Sequence, residues 1–287
     1  MMVGAMTCFV LNDALVKHVS QFMPSAQLIF LRGLMASALV LLAAHYLGVL
    51  RQVGLVLNPR VALRGAVDAC ATMLYLLSLF QLPIANATAI NLAAPLFMTV
   101  FAVVFLREHA GAARWFAVLM GFVGVVCIVQ PSSDGFNAWS LLCLLGTLFH
   151  ATRDLMTRRI DRGIPSIIVT LATALSVTLL SGFFTLWSGW KPFGLRELGL
   201  LAVAAVFLAS GYLLLVQCMR TGEVTLTAPF RYTAVLIAVT LGFVVWNEAP
   251  NGWAWLGIAL LVGSGLHMLR SERGRTRAAA ALDAQPE

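Results

Sequence analysis

Long apolar runs fill this chain, separated by short polar breaks. Each run is close to the roughly twenty residues that a helix needs to cross the hydrocarbon core of a bilayer. We therefore expect ten transmembrane helices. Their predicted bounds are 2–18, 25–48, 61–82, 84–106, 112–130, 137–157, 164–187, 197–219, 224–246 and 251–269. Because the breaks are short, consecutive helices should lie antiparallel and side by side.

The pattern occurs twice along the chain. At an offset of 140 residues Glu108 falls on Glu248, and at an offset of 141 residues Asp13 falls on Asp154. In both copies a long apolar run ends in a Glu, and a short turn leads into a second apolar run. An internal repeat of this kind predicts two homologous domains of five helices each. The predicted units are 1–131, 137–270 and a polar cytoplasmic tail, 271–287.

The composition supports an integral membrane protein. Of 287 residues 60% are hydrophobic and 11% are charged, and the mean hydropathy is +0.90. A soluble domain carries about 25% charged residues, so a soluble fold could not cover its surface with so few. The net charge of +7 does not indicate a nucleic-acid partner, because most cations lie in the breaks and the tail. The five cysteines are dispersed in apolar runs without a CxxC, which favours core packing over a metal or disulfide role.

The distribution of Lys and Arg predicts the orientation, since cytoplasmic loops are enriched in these residues. With both termini cytoplasmic, thirteen cations in the breaks and tail fall inside, and only Lys17, Lys191 and Arg196 fall outside. Five helices is an odd number, so the second half enters the membrane inverted. Inverted repeats are a common plan of secondary transporters, with the substrate site near the bilayer midplane. The predicted fold is an all-α integral membrane protein with ten transmembrane helices in two inverted five-helix repeats.

Two short motifs open the chain. They read Asn12-Asp13-Ala14-Leu15-Val16-Lys17 and Gln27 followed by Phe30-Leu31-Arg32-Gly33, and a Glu closes both the fourth and the ninth span. Over nearly its whole length the chain resembles the EamA branch of the drug/metabolite transporter superfamily. The resemblance implies alternating access in the inner membrane and a central cavity lined mainly by spans 1, 3, 4, 6, 8 and 9. Members of the family move amino acids, nucleotide-like compounds, riboflavin, S-adenosylmethionine and other metabolites.

Arg231 is the most informative polar residue. It lies about seven residues into the ninth span, where a charged side chain costs about 2.5 kcal/mol or more to insert. We expect it to bind a carboxylate or other anion bidentately, with snorkelling to the interface as the alternative. Its repeat counterpart, Asn91, should supply amide hydrogen bonds. The neighbouring Tyr232 is a candidate for stacking on a planar substrate, with simple packing as the alternative.

The third span carries two further candidates on one helical face. Asp68 lies one turn beyond Arg64, and Tyr75 follows seven residues later. Asp68 is interpreted either as the i,i+4 partner of Arg64 or as an acid that carries a coupling proton. Tyr75 should point into the same space as Asp68.

Acid–base pairs recur at equivalent places in the two halves. Asp13 and Lys17 are spaced for an i,i+4 pair, and Asp154 and Arg158 repeat this spacing. We expect each pair to act as a gate or brace, with substrate contact as the alternative. The residues that precede the two acids are also candidates for substrate binding: Asn12 and Arg153.

Glu108 and Glu248 end the fourth and ninth spans. A Glu at a helix C-terminus is unfavourable for the helix dipole, so we expect each to accept hydrogen bonds from the N-terminal amides of the following span. Both are predicted to be structural clamps. Pro95 and Pro229 should kink the same two spans.

Small residues recur along the fifth and tenth spans, among them Gly124 and Gly257. Small side chains let two helices approach closely. We expect these residues to pack within one chain rather than at a dimer face, and the oligomeric state, monomer or homodimer, stays open.

The sequence contains no His-Glu-x-x-His, Walker or Gly-x-Ser-x-Gly motif, so neither an enzyme nor a cofactor is expected. Without an ATP site, uphill transport must use a proton or other ion, or solute exchange. We predict a secondary transporter of a small organic metabolite. The opening motif resembles that of the riboflavin- and S-adenosylmethionine-type branch, and this resemblance implies a heterocyclic compound of that kind, with an amino acid or drug exported by the same fold as the alternative. A channel or facilitator pore is the alternative of another class.

Overall fold

The computed structural model describes residues 1–106, 111–130, 138–157, 159–161, 163–221 and 228–283. Within these ranges the chain forms helices and turns and no strand, in agreement with the all-α prediction. The α-helices are α1 (Met2–Val19), α2 (Ser25–Tyr46), α3 (Pro59–Leu79), α4 (Ile84–Asn91), α5 (Ala94–Leu106), α6 (Ala112–Val129), α7 (Ala138–Thr157), α8 (Ser166–Ser188), α9 (Leu195–Thr221), α10 (Thr233–Trp246) and α11 (Gly252–Asp283). Two 3₁₀ segments, Leu50–Leu57 and Ala228–Tyr232, precede α3 and α10.

Six stretches of the described chain are long and apolar enough to cross a membrane: Met2–Val19, Ser25–Tyr46, Pro59–Leu79, Ile84–Phe101, Ser166–Ser188 and Leu195–Leu215. Shorter apolar helices cover Trp115–Val129, Phe230–Trp246 and Gly252–His267. The remaining predicted span is α7, a helix of 20 residues that carries Arg153 and Asp154. In a hydrocarbon medium the backbone must satisfy its own hydrogen bonds, which is why such runs form helices.

The helices pack as a closed ring. Around the ring each helix contacts the next, in the order α1, α9, α2, α8, α3, α7, α4 and α10, and α10 contacts α1 again. Within the described ranges, α1 does not pack along α3, and α7 does not pack along α9. In the ring α1 therefore lies opposite α3, and α9 lies opposite α7; the interior that these four helices enclose is called the central space below.

α6 and α11 pack on each other and touch the ring through α4. Their closest approach is at Gly124 and Gly257. A Cβ atom on Gly124 would lie 2.7 Å from the carbonyl oxygen of Gly257, and one on Gly257 would lie 2.5 Å from the carbonyl oxygen of Gly124. The prediction that these glycines serve packing within one chain is confirmed.

Of the two prolines predicted to kink their spans, one lies at a break in the helix and the other in a 3₁₀ segment. The fourth span divides into α4 and α5 at Leu92–Ala93, just before Pro95, which has no N–H to donate to the preceding turn. In the ninth span, Pro229 lies in the second 3₁₀ segment, ahead of α10. Asn91 is the last residue of α4, and Arg231 lies within the second 3₁₀ segment.

Candidate functional site

Asp68 on α3 is the centre of a buried ion network. Its side chain is 0% exposed, and Arg153 Nη1 on α7 donates to its Oδ1 at 2.7 Å. Arg64 Nη1 donates to its Oδ2 at 3.3 Å, which confirms the predicted i,i+4 pair. Burial of a charge is costly unless it is paired and hydrogen-bonded. Here the pairing joins helices from the two halves of the chain.

Arg153 lies between two acids. Its Nε donates to Asp154 Oδ1 at 2.9 Å, and its Nη2 lies 2.8 Å from the same oxygen. Arg64 is held in turn by hydroxyl groups: its Nε donates to Thr157 Oγ1 at 3.1 Å, and its Nη1 donates to Thr173 Oγ1. The guanidinium group of Arg64 is thus fixed in orientation by neighbours on α7 and α8, and that of Arg153 by the two acids.

His150 connects three helices. Its Nδ1 lies 2.8 Å from Asn91 Oδ1 on α4, and its Nε2 lies 4.0 Å from Asp68 Oδ1 on α3. Its ring is 6.0 Å from that of Tyr75, centroid to centroid. Asp68 and Tyr75 therefore face the same space, as their spacing predicted. Asn91 bonds to His150, an interaction that the sequence did not indicate.

A second polar chain begins on α1. Tyr75 Oη donates to Asp13 Oδ2 at 2.8 Å, and Asn12 Nδ2 donates to Asp13 Oδ1 at 3.0 Å. Arg32 Nη1 on α2 donates to Asn12 Oδ1 at 3.1 Å. Since α1 and α3 face each other across the central space, the Tyr75–Asp13 hydrogen bond crosses it.

The predicted pair between Asp13 and Lys17 is wrong. Asp13 is bonded to Tyr75, whereas Lys17 Nζ donates to the carbonyl oxygen of Leu82 at 2.6 Å and lies 3.0 Å from both carboxylate oxygens of Glu248. Lys17 is buried, so an ammonium there is better satisfied by three oxygens from other segments than by one carboxylate on its own helix. Of the repeated pair, Asp154 contacts Arg153, and Arg158 lies outside the described residues.

Glu248 binds a different helix from the one predicted. Its Oε2 accepts a hydrogen bond from the backbone N–H of Ile84 at 3.3 Å, so the amide belongs to the first residue of α4 and not to α11. The first amides of a helix have no partner inside the helix, which makes either helix start a possible site for a carboxylate. Trp246 lies next to the Lys17–Glu248 pair, and its ring centroid is 5.1 Å from Lys17 Nζ. The other predicted clamp, Glu108, lies outside the described residues.

Arg231 is half-buried and interacts electrostatically with Asp154. Among the residues that the structure describes, it makes no hydrogen bond or ion pair. The ring of Tyr232 packs over Gly265 of α11, where a Cβ atom would overlap it. Stacking of Tyr232 on a substrate stays a prediction. The contact of its ring with α11 supports the packing alternative.

Tyr212 on α9 is a residue of this site that the sequence did not indicate. Its ring is edge-on to Phe9 of α1, with centroids 5.2 Å apart and planes at 76°. It interacts electrostatically with charged groups on three other helices: Asp68, Arg153, Arg64 and Arg32. The signal that could have found it is a tyrosine in the eighth span, one of the spans that the resemblance assigns to the cavity.

The interior of the ring carries an excess of positive charge. Four guanidinium groups face three carboxylates there: Arg32, Arg64, Arg153, Arg231, Asp13, Asp68 and Asp154. Charges interact more strongly in a low-dielectric interior than in water. The arrangement can therefore attract and orient an anionic group. Across the described parts of the chain no cluster of His, Cys, Asp and Glu is placed to hold a metal ion.

Comparison with known proteins gives a consistent result. The family model described as "EamA-like transporter family" matches residues 1–130 and again 137–269. The pseudopaline exporter CntI of Pseudomonas aeruginosa (strain UCBPP-PA14) is 26% identical over 277 residues, covering 93% of this chain and 93% of that protein. A riboflavin transporter of Rhizobium johnstonii is 30% identical over 200 residues, covering 69% of this chain and 66% of that protein.

Two further similarities extend along most of the chain. An S-adenosylmethionine uptake transporter of Rickettsia bellii is 27% identical over 266 residues, covering 91% of this chain and 89% of that protein. A crystal structure with 21% sequence identity aligns with a TM-score of 0.66 over 94% of this chain and 96% of that chain. At that identity the structural likeness shows the fold alone.

Proposed function

The chain belongs to the EamA-like transporter family, and from that premise we propose that it is a secondary active transporter working by alternating access. It is a multi-pass membrane protein whose relatives are named as transporters and not as enzymes. The proposed cargo is a small organic metabolite, carried across the bacterial inner membrane.

One observation carries this proposal: the buried ion pair between Asp68 and Arg153, which joins the two halves of the chain inside the helix ring. Ionisable residues within membrane spans are costly and usually mark a substrate or ion pathway. A purely structural bundle has no need of such groups. Because acids and bases are paired across the space, they also do not form the ring of like charges that is typical of a channel.

The proposed architecture is ten spans in two inverted repeats, 1–131 and 137–270. Helix contacts support it, because exchanging the halves converts the α3–α7 contact into α9–α1, and the α3–α8 contact into α9–α2. The family model matches each half separately. With thirteen of the cations near the span ends or in the tail on one side, we propose that both termini are cytoplasmic.

The proposed substrate carries an anionic head, and Arg231 is the group that binds it. Arg231 has no direct partner among the described residues, and the interior has more guanidinium groups than carboxylates. We assign Arg153, Asp68, Asn12, Asn91 and Tyr75 to the walls of the same site. This charge balance favours a compound with a carboxylate, such as S-adenosylmethionine, over riboflavin, which has none.

The test is flux into proteoliposomes, preceded by thermal shift of the purified protein against riboflavin, S-adenosylmethionine, nucleosides and amino acids. A ligand at 100 times its Kd should stabilise the fold by about 2.7 kcal/mol. Arg231→Ala should abolish binding and flux but keep the unliganded melting temperature. The matched control is Arg196→Ala, at an exposed position at the start of α9. This substitution should leave binding, flux and the melting temperature unchanged.

Each alternative has its own outcome. Normal flux by Arg231→Ala would overturn the assignment of that residue. Flux that shows neither saturation nor counterflow would favour a channel. Failure of the wild-type protein to bind or move any compound, under imposed proton and sodium gradients, would overturn the proposed function.

A further inference from the structure

α3 and α9 occupy equivalent places in the two halves, and each directs a tyrosine into the central space. The two hydroxyl groups are used differently. That of Tyr75 on α3 donates to Asp13 on α1 at 2.8 Å, so protein atoms alone span this side of the space.

The hydroxyl group of Tyr212 on α9 has no such partner. Within the described ranges it makes no hydrogen bond, although it interacts electrostatically with Arg153 on α7 and Asp68 on α3. A tyrosine hydroxyl in an apolar interior usually finds a hydrogen-bond partner. α7 and α9 do not pack along each other. No hydrogen bond like that between Tyr75 and Asp13 joins these two helices within the described ranges.

The ring of Tyr212 is nevertheless held in position. Phe9 of α1 contacts it edge-on, with centroids 5.2 Å apart, and the two helices pack along each other. A Cβ atom on Gly211, the preceding residue, would lie 2.9 Å from the same phenyl ring, which shows how closely the helices approach here. Tyr212 thus combines a fixed ring with an uncommitted hydroxyl.

The neighbours of Tyr212 restrict what can accept its hydrogen bond. Guanidinium groups have donors only, and the carboxylate of Asp68 accepts from Arg153 and Arg64 but not from Tyr212. No described residue accepts from the Tyr212 hydroxyl, so this donor is available to an oxygen of a bound compound. A carboxylate can accept from a guanidinium and from a phenol at the same time, because it has two oxygens.

We propose that Tyr212 contacts the transported compound between α7 and α9 and selects for a substrate with a carboxylate group. This assignment rests on the proposed function. It makes the two tyrosines distinct in role, with Tyr75 bracing the protein and Tyr212 recognising the cargo.

The experiment compares Tyr212→Phe with two matched variants, Tyr75→Phe and Tyr46→Phe, the last at an exposed position near the end of α2. Each variant keeps its ring and loses only the hydroxyl. The readouts are the unliganded melting temperature, the Kd, and the KM and Vmax of flux. The probes are S-adenosylmethionine, riboflavin, and the pair tryptophan and tryptamine, which differ by a carboxylate.

Tyr212→Phe should leave the unliganded melting temperature unchanged, because the hydroxyl has no partner within the described protein. It should weaken binding of carboxylate-bearing probes about tenfold, as expected for loss of a hydrogen bond to a charged group, with the change in KM and not in Vmax. Tyr75→Phe should instead lower the melting temperature, because Asp13 loses a buried donor. Tyr46→Phe should change nothing.

Two results would overturn the assignment, and they are distinguishable. If the wild-type protein binds a probe and Tyr212→Phe binds it equally well, Tyr212 is a packing residue and the transporter proposal stands. If the wild-type protein binds and transports none of the probes or the wider panel, the proposed function fails and this assignment fails with it.

Discussion

Lys17 on α1 and Glu248, in the turn after α10, join the two halves of the chain at one end of the central space. Their charged atoms are 3.0 Å apart, and the pair is extended on both sides by backbone groups of the turn that leads into α4. Three segments that are distant in sequence therefore meet at one point. For a carrier that works by alternating access, such a contact must break whenever that end of the path opens.

Breaking this contact should destabilise the state described here. We expect Lys17→Met and Glu248→Gln each to lower the free energy of unfolding by about 1–3 kcal/mol, because each leaves a partly buried charge without its partner. The double variant should lose less than the sum of the two single losses. Thermal melting in detergent measures all three, and strictly additive losses would show that the two side chains do not interact.

Asp68→Asn tests the centre of the site. The amide keeps the shape of the side chain but removes the charge that Arg153 and Arg64 share. We expect a loss of about 3–5 kcal/mol, as for a broken buried ion pair, together with loss of flux. The measurement is melting temperature combined with counterflow.

The opposite result for Asp68→Asn would assign another role. An unchanged melting temperature with intact counterflow, but no response to a proton gradient, would contradict the structural pairing. Asp68 would then be the acid that carries a coupling proton, the second interpretation of this residue.

Arg153→Lys should also fail, although it keeps the positive charge. Arg153 reaches Asp68 and Asp154 with different nitrogens of one planar group, and a lysine ammonium cannot match both directions. We expect flux to fall at least about tenfold with the protein still folded. Arg159→Lys, at an exposed position, is the control. Wild-type kinetics in Arg153→Lys would mean that charge alone matters at this position.

Gly257→Ala should separate α6 from α11. The added Cβ atom would lie 2.5 Å from the carbonyl oxygen of Gly124, so the helices must move apart, at a cost of about 1–3 kcal/mol. Gly263→Ala, on the same helix with nothing within 4 Å of its Cβ position, should be neutral or slightly stabilising. Equal melting temperatures for the two variants would contradict the close helix contact.

The helices themselves could be derived from the sequence. Apolar runs of sufficient length become helices in lipid because the backbone has no other way to satisfy its hydrogen bonds. That reasoning is local, so it also anticipated the break beside Pro95 and the close packing at Gly124 and Gly257. The Arg64–Asp68 pair was predictable for the same reason, since its two members lie one turn apart on one helix.

The partners across helices were decided only by the tertiary structure. Spacing along α1 permits Lys17 to pair with Asp13, but Glu248, 231 residues away, reaches it with two oxygens and leaves Asp13 to Tyr75. Sequence spacing describes one helix at a time, whereas a buried charge is satisfied by whichever groups the packing of several helices brings within reach. By itself the sequence determined which segments form long apolar helices and which charges lie within them. The arrangement of the ring determined which of those charges neutralise one another, because the partners lie on different helices.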